Sequence, residues 1–181
     1  MVKYYEVEVT GNAPLLMNRF AIEEHGEGAT KRKKKVYVAK EDAEKACYRT
    51  KKGELYLPGE WFYASLVKAA VKQKYEGKKT FKDIFKAGMV IQEEEITDFT
   101  PQEYEIDSRA VVISRARVVK SRPRFENWKA KFHVQIIHDD LIDKQILKEC
   151  LDDAGFNGVG DYRPRFGRFM VTGFKEVGAK E

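Results

Sequence analysis

The chain has 181 residues, of which 43% are hydrophobic and 35% are charged, and its formal net charge is +5. This length and composition favour a globular domain with a sizeable core and exclude a disordered chain. No apolar run is long enough to span a bilayer and the first residues show no signal-peptide pattern, so we expect a cytoplasmic protein without a membrane partner. Two distant cysteines, Cys47 and Cys150, are expected to be free thiols.

The first predicted element is a strand over residues 4–9, where Tyr5, Val7 and Val9 alternate with polar side chains. A polar loop then extends over 18–36 and ends in a run of five basic residues. Because five like charges repel one another, the run needs either solvent or a polyanion, and both interpretations remain open. The run consists of Lys31, Arg32, Lys33, Lys34 and Lys35.

Helical spacing of apolar residues predicts a short helix over 40–49 and a longer one over 60–74, with a brief strand at 55–57 between them. Alternation of apolar residues then predicts one strand over 110–119, which ends before Pro123. A second alternating strand is predicted over 128–138, with one face in the core and the other basic and polar.

Asp139 and Asp140 are predicted to begin a helix that ends at Gly155, and a last strand is predicted over 166–174. Two strand–helix units over a mostly antiparallel sheet predict an α+β fold. The simplest topology with this order is a ferredoxin-like or RRM-like βαββαβ sheet with its helices on one face.

Two adjoining segments carry opposite charge. Residues 108–138 hold eight Lys and Arg side chains and one acid, whereas residues 92–107 hold seven acids and no base. A mesh of surface ion pairs, as in heat-adapted proteins, is one explanation. An anionic partner for the basic segment is the other.

The segment 155–169 places four glycines and three arginines between a helix and a strand. Glycines let a phosphate or a base approach the backbone, and successive amides there can form an anion-binding nest. Arginines bind phosphates, and Tyr162 and Phe166 offer faces for base stacking. The alternative is a tight connection whose glycines only relieve steric strain, but the arginines favour binding. A Rossmann site is excluded because the glycines follow a helix and Arg163 stands where Gly or Ala is needed.

Three segments resemble the RAMP superfamily, which includes the backbone subunits of CRISPR effector complexes. The turn Leu57-Pro58-Gly59-Glu60 and the helix after it resemble a helix start common in that superfamily. Residues 158–169 resemble its C-terminal glycine-rich loop. Residues 7–17 are similar to the first strand and loop of compact members, including some encoded by phages.

The resemblance implies an RRM-like domain over residues 1–181 with insertions at 18–36 and 92–107. It also implies a non-catalytic protein that binds single-stranded DNA or RNA along a basic sheet face and the glycine-rich loop, as a homo-oligomer, a filament or a subunit of a nucleoprotein complex. No cofactor or metal is expected. With the basic run at 31–35, the predicted binding residues are Arg115, Arg117, Arg122, Arg124, Lys129, Lys131, Gly158, Gly160, Tyr162, Arg163, Arg165 and Arg168.

Some RAMP proteins cleave RNA, so a metal-independent endoribonuclease is an alternative, and a purely structural subunit is another. His25, in the polar loop, is the one weak candidate for a general acid or base, since imidazole titrates near neutral pH. His133 and His138 are predicted to point to opposite sides of a strand, so they are interpreted as structural or as neighbours of a phosphate.

Overall fold

The computed structural model describes residues 1–20, 37–113 and 115–178. The basic run at 31–35 and His25 lie outside these ranges. The helices are α1 (Ala39–Lys45), α2 (Gly59–Ala69), α3 (Lys82–Gly88) and α4 (Lys144–Asn157). The strands are β1 (Lys3–Gly11), β2 (Leu15–Leu16), β3 (Leu57–Pro58), β4 (Met89–Ile91), β5 (Glu95–Ile96), β6 (Phe99–Thr100), β7 (Glu105–Ile113), β8 (Ala116–Phe125), β9 (Lys129–Ile136) and β10 (Phe169–Val177).

The main sheet is antiparallel and has the order β10-β1-β9-β4, with β6 also paired to β9. Because β4 and β6 both pair with β9, they act as one edge strand that is interrupted at residues 92–98. Helix α2 lies in the connection between β1 and this edge strand, and α4 connects β9 to β10. This is the ferredoxin-like order, so the predicted α+β fold is confirmed.

Alternation in the strands and helical spacing in α2 and α4 direct apolar side chains into one core. Val7 in β1 and Phe132 in β9 are fully buried. Phe62 of α2 packs against Phe132 at 4.3 Å between ring centroids and against Phe169 at 5.7 Å. Leu147 and other apolar residues of α4 complete the layer. The opposite side of the main sheet, which carries Glu6, Glu8, Lys131 and His133, is called the open face.

Strands β7 and β8 form a long antiparallel hairpin inserted between β6 and β9, and β2 pairs with the base of β8. The single strand predicted over 110–119 is therefore wrong, because the chain reverses between Ile113 and Ala116. Arg115 in this turn has φ 67°. Pro123, predicted to follow the end of a strand, lies inside β8 opposite Ile106. The predicted insertion at 92–107 contains β5, β6 and the start of β7, and the limits of both insertions stay predictions.

Two other predicted boundaries are shifted. Helix α4 begins after Asp143, whose carboxylate accepts a hydrogen bond from the Ile146 amide at 2.8 Å. Residues 139–140 instead form a turn before the helix. Gly155 lies inside α4, and Gly158, with φ 73°, is the residue that ends it.

Within the described ranges, no helix combines the length and the apolar character that crossing a bilayer requires.

Candidate nucleic-acid interface

The glycine-rich loop, residues 158–168, is fastened to the segment that follows β1. The amide of Asp161 donates to the Leu16 carbonyl at 2.9 Å, and the amide of Gly167 donates to the Pro14 carbonyl at 2.8 Å. A further bond inside the loop joins the Val159 amide to the Gly167 carbonyl at 2.9 Å. These amides are engaged by protein carbonyls, so they do not form the anion-binding nest that the sequence suggested.

Close packing explains the glycines of this loop. A Cβ on Gly160 would lie 2.6 Å from the Leu16 carbonyl oxygen, and a Cβ on Gly167 would lie 1.8 Å from the Val159 carbonyl oxygen. Both residues have positive φ, 78° and 72°, which side chains disfavour. The strain-relief interpretation therefore accounts for them, and contact of Gly158 or Gly160 with a nucleic acid stays a prediction.

The hairpin docks on this loop through two arginines. The Arg109 guanidinium lies 4.7 Å from the Phe166 ring centroid, and that of Arg122 lies 4.9 Å from the Tyr162 ring centroid. Arg122 Nε also lies 2.7 Å from Asp161 Oδ2. Cation–π and ionic contacts thus join β7 and β8 to the loop. They place Arg122 and Tyr162, two predicted binding residues, side by side.

Carboxylates neutralise part of the hairpin's charge. Arg109 donates to Asp107 at 2.5 and 2.8 Å, and Arg124 pairs with Glu126. The hydrogen bond from Arg109 lowers the pKa of Asp107, with help from the positive charges of Arg109, Arg124 and Arg122. The ion-pair explanation of the opposite charge blocks therefore holds for Asp107 and Arg109, whereas Arg124 and Glu126 both belong to the basic segment.

Five other arginines among the predicted binding residues are exposed, and no described carboxylate neutralises them. Arg115 and Arg117 at the hairpin tip and Arg163 and Arg165 in the loop are exposed. Arg168 is exposed too, and its Nε donates to the Pro164 carbonyl at 2.8 Å. Over the ranges that the structure describes, none of these five arginines makes an ion pair with a carboxylate.

The structure separates Lys129 and Lys131 from this group, because both belong to β9 in the main sheet. On the open face, Lys131 Nζ lies 3.1 Å from Glu8, and Lys175 Nζ lies 2.8 Å from Glu6. The hydrogen bond from Lys175 lowers the pKa of Glu6. His133, on the same face, lies between Glu6 and Glu93, with Nδ1 2.5 Å from the Glu93 carboxylate. On this face Lys131 and Lys175 are therefore paired with glutamates, whereas Lys129 is exposed and makes no ion pair with the described residues.

Sequence reasoning missed the role of Arg109 and the contribution of α1. Asp107 and Arg109 are two residues apart in an alternating segment, so their side chains share a face, and this spacing could have indicated the pair. Nothing in the sequence indicates that α1 lies beside β8, where the Asp42 carboxylate accepts a hydrogen bond from the Ser121 amide at 2.6 Å.

No protein-family model matches the chain. No curated protein matches it either. A chain in the cryo-EM structure of the type III-B Cmr-beta bound to cognate target RNA is similar in structure, with a TM-score of 0.61 and 8% sequence identity. The match covers 97% of this chain and 61% of that one, so this chain spans less than two thirds of its neighbour's length. At this identity the similarity shows a shared fold.

Proposed function

We propose that this protein is a RAMP-type module that binds single-stranded nucleic acid without cleaving it, along the hairpin and the glycine-rich loop. The convergence of these two elements carries the proposal. Arg109 and Arg122 fasten the hairpin to Phe166 and Tyr162, so the two elements that carry the exposed arginines are in contact with each other. Phosphates bind to such cations, and exposed aromatic rings accept bases.

The open face is a poorer candidate for the same role. RRM-like proteins stack bases on aromatic side chains of the sheet, whereas the middle of this face carries Lys131 paired with Glu8 and His133 beside Glu6. A phosphate at Lys131 would have to displace Glu8 from the ammonium group. Tyr162, with 41% of its surface exposed, offers a stacking ring on the hairpin side instead.

The structural neighbour supports the proposal in a limited way, since its complex is described as bound to cognate target RNA. We extend the proposal to membership of a cytoplasmic nucleoprotein assembly, with this chain as an oligomer or as one subunit. The adjoining acidic segment 92–107 would then face the basic surface of a neighbouring protomer.

The test compares two pairs of cations that carry equal charge. Changing Arg163 and Arg165 together to Gln should weaken binding of a fluorescent single-stranded 20-mer about tenfold. The log–log dependence of affinity on salt should become shallower by about two, because roughly one counterion is released per phosphate contact. Fluorescence anisotropy at several salt concentrations measures both quantities.

Changing Lys129 and Lys131 to Gln is the matched control, and its affinity should stay within about twofold of the wild type. Equal losses for both pairs would show that total charge matters and the proposed interface does not. Unchanged affinity for the arginine pair would remove the glycine-rich loop from the interface. Cleavage of hairpin RNA in EDTA, abolished by His25→Ala, would replace the proposal by the endoribonuclease alternative.

A further inference from the structure

A cleft of about 650 Å³ lies where α1, the hairpin and the glycine-rich loop meet. It is continuous with the proposed interface, since Arg122 and Tyr162 form part of its wall. Its charged side chains are mixed in sign, with four cations and two carboxylates. They are Arg19, Lys45, Lys120, Arg122, Asp42 and Asp161.

Arg122 brings buried hydrogen-bond donors to the wall of this cleft. Its side chain is 7% exposed, yet neither its Nε nor its Nη1 makes an aligned hydrogen bond to any described residue. A guanidinium has five N–H donors, and leaving buried donors without acceptors is unfavourable. The single ionic contact with Asp161 does not satisfy them. An acceptor-rich anion such as a phosphate would.

The two carboxylates of the cleft indicate that its ligand carries hydrogen-bond donors in addition to a phosphate. Asp42 Oδ2 accepts the Ser121 amide, and Asp161 Oδ2 lies against Arg122. The other oxygen of each has no hydrogen bond to the residues that the structure describes. Carboxylates only accept hydrogen bonds and would repel a phosphate, so the ligand must bring donors as well. Sugar hydroxyl groups are such donors, and carboxylates bind ribose hydroxyls in nucleotide sites.

The third feature is the Tyr162 ring, which borders the cleft and remains 41% exposed. Arg122 and Arg109 both lie within 6 Å of its centroid, at 4.9 and 5.8 Å, and hold the ring in place. A fixed, partly exposed aromatic ring beside an anion site suits a nucleobase.

We propose that this cleft binds one ribonucleotide unit, with its phosphate at Arg122, Lys45 and Lys120, its 2′-hydroxyl at Asp42 or Asp161 and its base on Tyr162. The inference deepens the proposed function, on which it rests for the polymeric ligand. The same unit can come from a free nucleotide or from within an RNA strand. In either case the cleft distinguishes RNA from DNA through the 2′-hydroxyl.

The test measures affinities for RNA and DNA 12-mers of one sequence. The wild type should bind the RNA roughly tenfold more tightly, through a charge-assisted hydrogen bond. Asp42→Asn keeps an acceptor for the Ser121 amide but removes the charge. It should bring the two affinities to within about threefold, because repulsion of the DNA phosphate falls while the hydroxyl contact weakens.

Lys45→Gln should weaken both oligonucleotides about threefold through the lost phosphate contact. Lys40→Gln is the matched control, since Lys40 is exposed on the same helix and does not line the cleft. It should leave both affinities unchanged. Competition by adenosine 5′-monophosphate, but not by its 2′-deoxy form, would show that the free nucleotide also occupies the cleft. Binding of RNA without such competition would assign the site to the polymer.

Equal RNA and DNA affinities in the wild type, or a Lys45→Gln protein that matches Lys40→Gln, would overturn the cleft assignment and leave the proposed function standing. Failure of the wild type to bind either 12-mer would instead remove the proposed function. The adenosine 5′-monophosphate titration then decides the cleft separately. Saturable binding that Lys45→Gln weakens would support the site, and no binding would refute it.

Discussion

The open face of the main sheet and the docked hairpin hold their positive charges in different ways. On the open face, Lys131 and Lys175 each lie about 3 Å from a glutamate of β1, at 3.1 and 2.8 Å. In the hairpin, Arg109, Arg122 and Arg124 each pair with a carboxylate. Arg115 and Arg117 at its tip are exposed and have no acidic partner among the described residues. A count of basic residues therefore does not show which cations lack an acidic partner. Contacts within a strand, between paired strands and between the hairpin and the loop decide that.

The largest expected effect comes from breaking the loop that supports the hairpin. Gly167→Ala would place a Cβ 1.8 Å from the Val159 carbonyl oxygen at a residue with φ 72°. We expect a loss of about 3 kcal/mol or more in the free energy of unfolding, measured in urea, because a backbone clash adds to the left-handed strain.

Gly53→Ala is the control for that strain. Gly53 has φ 90° and a Cβ there would meet nothing within 4 Å, so the expected loss is about 1 kcal/mol. Similar losses for both variants would show that the close approach of the loop's two backbone segments does not constrain it.

A smaller effect should follow from removing the buried cation between hairpin and loop. Arg122→Gln leaves Asp161 without its guanidinium and removes the cation–π contact with Tyr162. We expect a loss of about 2 kcal/mol, less than for a fully buried pair because Asp161 is 30% exposed. Lys131→Gln on the open face should leave the free energy of unfolding almost unchanged, because its ion pair is exposed to solvent. If the two losses were equal, the distinction between the two regions would fail.

The smallest effect concerns pH. Because Arg109 lowers the pKa of Asp107, the carboxylate stabilises the folded state above its ordinary pKa of 3.8. This contribution is lost as the pH falls below that value and through the lowered one. The difference in unfolding free energy between wild type and Asp107→Asn, under about 1 kcal/mol near neutral pH, should therefore shrink on acidification. In an Arg109→Gln background the same substitution should give no such pH dependence.

Much of the fold could be predicted from the sequence because its main elements bury one face each. The alternation of β1 and β9 and the apolar spacing of α2 and α4 gave the correct types and order. The hairpin was missed because its turn contains no Gly, Asn or Asp near Ile113 to Ala116 and because the alternation continues on both sides of it.

The site was less predictable, since ionic partners depend on register and docking. Lys131 lies opposite Glu8 only because β1 and β9 pair in that register. Arg122 meets Asp161 and Tyr162 across about forty residues of sequence, through the folding of the loop onto residues 14–16. Sequence patterns predict which segments are charged, whereas the partner of each charge depends on the tertiary structure.

The loop's anchoring has a consequence for how the molecule folds. The carbonyls of Pro14 and Leu16 receive amides from Gly167 and Asp161, so the contact closes a chain segment of about 150 residues. Contacts at such separation are slow to form because their closure costs the most chain entropy. During synthesis the hairpin emerges well before the loop that holds it. The contact between hairpin and loop is therefore completed late, and a nascent chain that lacks residues 158–168 has the hairpin arginines without the aromatic rings against which they pack.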